Sequence, residues 1–412
     1  MKFNKWTYSL AAVGAVSLVS AARADETHMS QLQTALSTTT ISGFVDVGGQ
    51  YNIGNENNGQ TPNYGNPKQQ NEFSLNSVDI TLERPMDESP WAAGYRAEIQ
   101  WGPDSPLVFG NVTHGAIRQA YLSLRTPLGN GIDWKIGVWD TIVAYESTSA
   151  VQDPNYTRSY GWTLEPTSYT GILGTYKVCD MLTVQAGVAN GLPLFAAGGS
   201  GSGFNSTSSV HSQKTYIGGI TLTAPDSWGW AKGGTMNLAY AHHVASEVVG
   251  GAGTRDNYFA GITMPTPWHV LKLGAAFDWV EIGNGSKVSL LNPKDDQAWV
   301  GAIYATFQAT DKLSFNLRGE YLEDGIGQIY NDAFGGPGPL NGQVSNPNPS
   351  GNVTVEAVTL TATYNLWANV LSRVEFRYDH VEDGTAFGFN NSAGIPNKAD
   401  SFLVAFNLIY QF

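Results

Sequence analysis

The last twelve residues, Ser401-Phe-Leu-Val-Ala-Phe-Asn-Leu-Ile-Tyr-Gln-Phe412, set Phe402, Val404, Phe406, Leu408, Tyr410 and Phe412 on alternate positions with nothing polar among them. A strand pleat sends alternate side chains to opposite faces, so this segment carries one continuous apolar face. A bare edge strand with such a face pairs with any neighbouring chain. Closing it onto the first strand of a barrel removes the edge, and lipid then solvates the apolar face. The expected fold class is therefore all-β: a transmembrane antiparallel β-barrel resident in an outer membrane.

The opposite end reads as a cleaved secretory signal over residues 1–24, with Lys2 and Lys5 ahead of an apolar run from Leu10 to Ala22 and Ala22-Arg23-Ala24 as the cleavage site. That run is shorter than the roughly 20 apolar residues of a spanning helix. Strands must then hold the chain in the bilayer. The 47 Gly and the 48 aromatics (17 Phe, 19 Tyr, 12 Trp) suit short strands and turns. Without the signal, 19 basic side chains stand against 35 acidic ones, a formal charge of −16, which disfavours nucleic acid as a partner. The single Cys179 has no partner for an internal disulfide.

Alternation of apolar and polar residues predicts about sixteen strands, near 41–53, 72–84, 91–102, 115–126, 132–140, 166–178, 182–190, 214–224, 234–245, 256–264, 269–282, 297–309, 312–323, 353–365, 368–380 and 401–412. Residues 25–40 form a short periplasmic segment, with a faint helical signal over 25–38, and 41–412 the barrel. Long connections (54–71, 103–114, 141–165, 191–213, 246–255, 283–296, 324–352 and 381–400) alternate with short ones, as expected of long extracellular loops on one rim and tight periplasmic turns on the other. Phe73 and Leu75 are out of phase with Val78, Ile80 and Leu82, which predicts a bulge in the second strand.

Several strands set charges on one face and apolar residues on the other. Val374, Phe376 and Tyr378 oppose Arg373, Glu375, Arg377 and Asp379; elsewhere Arg96, Glu98, Arg118, Lys135, Arg318 and Glu320 repeat the pattern. Four consecutive charges on one face are costly in a dry core but can line a wet lumen, so these ten residues are the candidate pore lining. The segment 141–165 contains aromatic and apolar residues that need a surface to pack on. Folding inward supplies one, and Glu146, Asp153 and Arg158 would then face the wall charges across a constriction with a transverse field. The alternative lays the segment over the outer rim and leaves the wall charges to pair across strands.

No catalytic constellation emerges. None of the seven histidines lies beside a G-x-S-x-G elbow, and the adjacent His242 and His243 would point to opposite faces of a strand, so neither a catalytic nor a metal site is expected. The glycine-rich 198–203 follows no buried parallel strand and reads as an external loop. No cofactor is expected.

The stretches ISGFVDVGGQYN, NSVDITLERPMDE, WAAGYRAEIQWGPD, GVWDTIVAYES, PNYTRSYGWTLEPTSYTGIL and VQAGVANG together resemble the β-barrel porin-2, or OmpL-like, family. The resemblance runs the length of the mature chain and is densest from about 40 to 190. It implies a Gram-negative outer-membrane porin with passive transport of small hydrophilic solutes, and it carries no catalytic motif. Tyr410 and Phe412 resemble the recognition signal of the barrel-assembly machinery. Expected partners are outer-membrane lipid and lipopolysaccharide, that machinery, small solutes such as ions or sugars, and further copies of the chain in a homotrimer. A different class, a surface adhesin or structural barrel, would act through the loops 191–213 and 324–352.

Overall fold

A computed structural model describes residues 38–53, 72–102, 115–190, 213–248, 251–283, 297–325, 353–382, 387–390 and 395–412. The signal peptide, the faint helix over 25–38, residues 198–203 and nearly all of the loops 54–71, 103–114, 191–213, 283–296 and 324–352 lie outside them. Sixteen antiparallel strands close into one barrel. They are β1 (Thr40–Ile53), β2 (Phe73–Arg84), β3 (Ala93–Trp101), β4 (Gly115–Thr126), β5 (Ile132–Asp140), β6 (Ser168–Cys179), β7 (Leu182–Ala189), β8 (Thr215–Thr223), β9 (Thr235–Val248), β10 (Gly251–Pro265), β11 (Leu271–Gly283), β12 (Gln297–Gln308), β13 (Leu313–Asp324), β14 (Val353–Trp367), β15 (Val370–Val381) and, last in the chain, β18 (Asp400–Gln411).

Each strand pairs with its neighbours in sequence, and β18 closes the ring on β1 with Phe44 opposite Gln411. At the seam Gly43 and Phe412 exchange two backbone hydrogen bonds of 3.0 Å each. The aromatic last strand thus has no free edge, and its apolar face, Phe402 to Phe412, points outward.

Alternation fixes the two faces. On β15, Val374 and Phe376 are exposed on the outside while Arg373, Glu375, Arg377 and Asp379 are buried within. The outward aromatics Tyr240, Tyr258, Trp279, Trp299 and Tyr321 lie on successive strands β9 to β13, with stacking contacts between Tyr258 and Trp279 and between Trp299 and Tyr321. Trp91, Trp268 and Trp367 are exposed beside the short turns at the other rim. Two aromatic belts flanking an apolar band mark the height of the bilayer. Among the described residues no helix is long and apolar enough to cross a membrane.

The bulge predicted in β2 is present: pairing with β1 shifts between Asp46 and Val47, leaving Asn76 as the extra residue. Two connections differ from expectation. The span 246–255 is not a long loop, because β9 runs on to Val248 and β10 starts at Gly251. Its residues lack the period-2 apolar signal, yet backbone pairing continues through Gly251 and Gly253, across a register shift. Within 381–400 the chain adds a two-stranded hairpin, β16 (Phe387–Asn390) and β17 (Ile395–Lys398), outside the barrel sheet.

Candidate functional site

Residues 141–167 leave β5, run inside the barrel and return to β6. Their conformation is held locally first. Arg158 forms an ion pair with Asp153 within the segment and donates to the Ser147 and Thr148 carbonyls. Ser159 caps a single helical turn, α1 (Tyr160–Leu164), accepting from the Trp162 N–H at 3.1 Å. The Arg158 guanidinium lies 4.5 Å above the Trp162 ring.

The folded segment then docks on the inner wall of β9 to β15. Glu375 accepts from the Tyr156 N–H (2.5 Å), the Thr157 N–H (2.9 Å), the Thr157 hydroxyl (2.6 Å) and the Thr361 hydroxyl (2.6 Å). Arg318 donates to Glu146 and to the Thr157 carbonyl, both at 2.8 Å, and to Glu320 at 2.7 Å. Glu320 also receives the Tyr160 N–H at 2.6 Å, and Asp379 the Tyr160 hydroxyl at 2.8 Å. Arg377 donates to the Arg158 carbonyl (2.7 Å) and to Asp379 (2.9 Å), and Arg373 donates to the Asp153 carbonyl. The end of α1 is anchored by Arg255 and Asn257, whose side chains reach the Leu164 carbonyl at 2.8 and 2.7 Å.

Apolar contacts frame this polar lattice. Tyr145 stacks on Tyr304 at 4.4 Å between centroids. Tyr160 and Leu164 pack on Val300, Leu322 and Val355, and Ala150 and Tyr156 at the tip pack on Phe44, Leu403 and Ile409 of the seam strands β1 and β18. The aromatic residues that made 141–165 unsuitable for open solvent thus find their surface inside the barrel.

The distribution of wall charges differs from a simple pore lining. Arg318, Glu320, Glu375, Arg377 and Asp379 point inward but are closed over by the segment, with Arg318 and Glu375 both at 0% exposure. Arg373 is likewise buried at its edge. Nor do the loop acids face Arg96 and Arg118: Glu146 pairs with Arg318, and Asp153 is neutralised by Arg158. Arg96 instead bridges Glu83 and Glu98, and Arg118 bridges Glu98 and Asp140. A carboxylate on the same or the adjacent strand outcompetes a more distant charge, because attraction falls with distance. Lys135, half-buried, sits 4.9 Å above the Tyr121 ring. With Arg96 and Glu83 it lies toward the turn-side mouth, where side chains are partly exposed.

Burial and the neighbouring Asp278 carboxyl push the Glu165 carboxyl, at the exit of the segment, well above the usual carboxylate range. Its Oε1 accepts the Tyr145 N–H at 2.9 Å, joining the two ends of the segment. His243 is buried inward beside the Tyr169 hydroxyl, whereas His242 faces outward on Asp256, so the two do not converge. Among the described residues no group of three or more His, Cys, Asp or Glu could hold a metal ion. The inner face of β1 to β4 is polar in a different way: Asp46, Asn76, Asp79, Gln100 and Gln119 join Glu98 and Arg118 there. Of these, sequence reasoning singled out only Glu98 and Arg118: Asn76, Gln100 and Gln119 carry no charge, and Asp46 and Asp79 have uncharged residues two positions to either side, so their inward phase was the available clue.

A closed sixteen-strand barrel with an apolar exterior, aromatic belts and a segment folded into its lumen is the architecture of outer-membrane channels. The chain belongs to the family described as "Putative beta-barrel porin-2, OmpL-like", whose model matches residues 38–412. It matches no curated protein sequence. Similar solved structures are OmpF of Salmonella typhi in complex with daunomycin (TM-score 0.59, 12% identity, covering 91% of this chain and 97% of that one), the anion-selective porin from Comamonas acidovorans (0.58, 12%, 91% and 99%) and the in-vitro folded trimer form of Vibrio cholerae OmpT (0.52, 12%, 91% and 99%). At such identity the likeness is one of fold. The chain is a porin of the outer membrane.

Proposed function

We propose that the protein lets small hydrophilic solutes, ions and sugars among them, diffuse passively through the barrel, whose lumen the inward segment 141–165 narrows. The single observation that carries this reading is the docking of that segment on the opposite wall by a dry lattice of hydrogen bonds around Glu375 and Arg318. Such a lattice makes the segment a fixed part of the wall. On the β5 to β12 side the segment packs on an apolar cluster that includes Trp139, Leu173, Phe259 and Ala276, which is no surface for a polar solute. The acid-rich chain favours cations and neutral solutes. In this it would contrast with the anion-selective Comamonas porin, which shares only the fold.

In the same reading residues 1–24 are removed on export, Tyr410 and Phe412 guide barrel assembly, lipopolysaccharide surrounds the outer rim, and three copies associate barrel to barrel, as in the trimer form of OmpT. Planar-bilayer recording of the purified chain tests the central claim. Stepwise conductance with a defined reversal potential under a salt gradient is the expected result, and a bilayer that stays silent with folded protein present would refute it.

A further inference from the structure

The two ends of the inward segment meet the wall at one pair of carboxyl groups. Glu165, at the exit of the segment, accepts the Tyr145 N–H at Oε1 (2.9 Å), which leaves Oε2 without a donor among the described residues. The Glu165 carboxyl lies within hydrogen-bond reach of the Asp278 carboxyl, which β11 turns into the lumen. Both residues are buried, at 2% and 3% exposure. The first turn of α1 closes over them: a Cβ on Gly161 would stand 2.8 Å from Asp278 Oδ2, so the glycine leaves this carboxyl its room. An ionised carboxyl only accepts, so two ionised ones have no hydrogen to place between them. A single proton turns the contact into a bond.

No cation takes the place of that proton. Among the described residues neither Glu165 nor Asp278 forms an ion pair. From the segment itself Glu146 faces the pair as a third acid, and its charge is taken up by Arg318 of β13 at 2.8 Å. Arg318 also binds Glu320 at 2.7 Å. Arg255 of β10 directs its donors to the Leu164 carbonyl (2.8 Å) and to Asn257 (3.2 Å), and the His243 ring of β9 stands on the Arg255 carbonyl at 3.1 Å. The neighbouring phenols are held elsewhere, Tyr145 by Thr263 (2.9 Å) and Tyr304 of β12 by Glu146 (3.4 Å).

We infer that Glu165 and Asp278 hold one proton between them, and that this shared proton latches the stem of the inward segment to β11. With the proton in place the pair carries a single charge and a charge-assisted hydrogen bond. Without it two like charges face each other in a site too dry to screen them, and the stem is driven off the wall into the lumen. The proton passes to lumen water beside Tyr145, which is partly exposed. The tip stays docked, because its lattice joins Glu375 to N–H groups and Glu146 to a guanidinium. The effect on current rests on the porin reading given above, whereas the proton itself does not.

Two measurements on the full chain separate these claims, made in a Cys179→Ser parent that lacks the exposed thiol. Both run between about pH 7.5 and 9, above the ordinary carboxyl range and below that of tyrosine and lysine. Infrared difference spectra of the parent minus the Glu165→Gln/Asp278→Asn double variant should show a protonated carboxyl at the lower pH and its loss at the higher. In planar bilayers the parent's steps should flicker to lower conductance in alkali, the flickering population growing about tenfold per pH unit, the slope of one proton. Glu165→Gln and Asp278→Asn, each leaving at most one charge in the pair, should give steady steps throughout. Each variant is first checked for the heat-modifiable gel migration of a folded barrel. A difference spectrum without a protonated carboxyl overturns the shared proton. Flicker absent from the parent, or equal in parent and variants, overturns the latch; no steps from the folded parent at any pH overturn the porin reading and the effect on current, with the infrared band still deciding the proton.

Discussion

Glu375 is the point at which the inward segment is most sharply tied to the wall, so Glu375→Ala is the most informative single change. Its carboxylate receives two backbone N–H groups and one hydroxyl from Tyr156 and Thr157, all within 2.9 Å, in a fully buried setting. Truncation orphans those three donors, each worth about 1–3 kcal/mol when water cannot reach it. Lumen water admitted by the smaller side chain recovers part of this, so the lower bound of about 3 kcal/mol applies, equivalent to a shift of about a hundredfold in the docked population. The β14–β15 ladder on either side of Glu375 is made by backbone groups and survives the change. The barrel should therefore fold, while the segment samples undocked positions. In planar bilayers this appears as larger, noisier conductance steps than wild type, with cysteine pairs placed across residue 157 and β14 cross-linking more slowly. Unchanged step size and noise in a folded E375A barrel would refute the view that this carboxylate fixes the passage.

Arg318→Met leaves Glu146 and Glu320 buried without their shared guanidinium, a loss of about 3–5 kcal/mol, and should lower the heat-modification midpoint more than Glu375→Ala does. Glu165 has its carboxyl raised by burial, so the stability it contributes is fully present below the unfolded carboxylate range and is lost as pH climbs through its folded value. Thermal unfolding should thus show a lower midpoint at alkaline than at mildly acidic pH, and Glu165→Gln, which keeps an acceptor for the Tyr145 N–H, should flatten that difference. Asn369 adopts a φ of 65° in the turn between β14 and β15, so Asn369→Val should cost about 1–2 kcal/mol and Asn369→Gly should be tolerated, as measured by denaturant titration in detergent.

Much of the barrel could be read from the residues because a strand's signal is local. In β15, the charges at 373, 375, 377 and 379 alternate with Val374, Phe376 and Tyr378, and that period alone assigns both faces. The same holds for the out-of-phase Phe73 and Leu75 that announce the β2 bulge. Pairings across the lumen were not legible, because Arg318 and Glu146 lie 172 residues apart and no sequence period links them. The wall charges that looked like pore lining were legible as inward-facing, but whether water or another segment meets them depends on where 141–165 comes to rest. The extended run through Val248 and Gly251 was missed for a related reason: its order comes from backbone pairing with a neighbour and not from its own side-chain pattern.

The tip of the inward segment rests on Phe44, Leu403 and Ile409, which belong to the first and last strands. It therefore straddles the junction at which the first and last strands of the barrel meet. Once the cylinder has shut, the segment acts as an internal clasp: prising the first and last strands apart means tearing an aromatic contact from within as well as unzipping backbone bonds from the side.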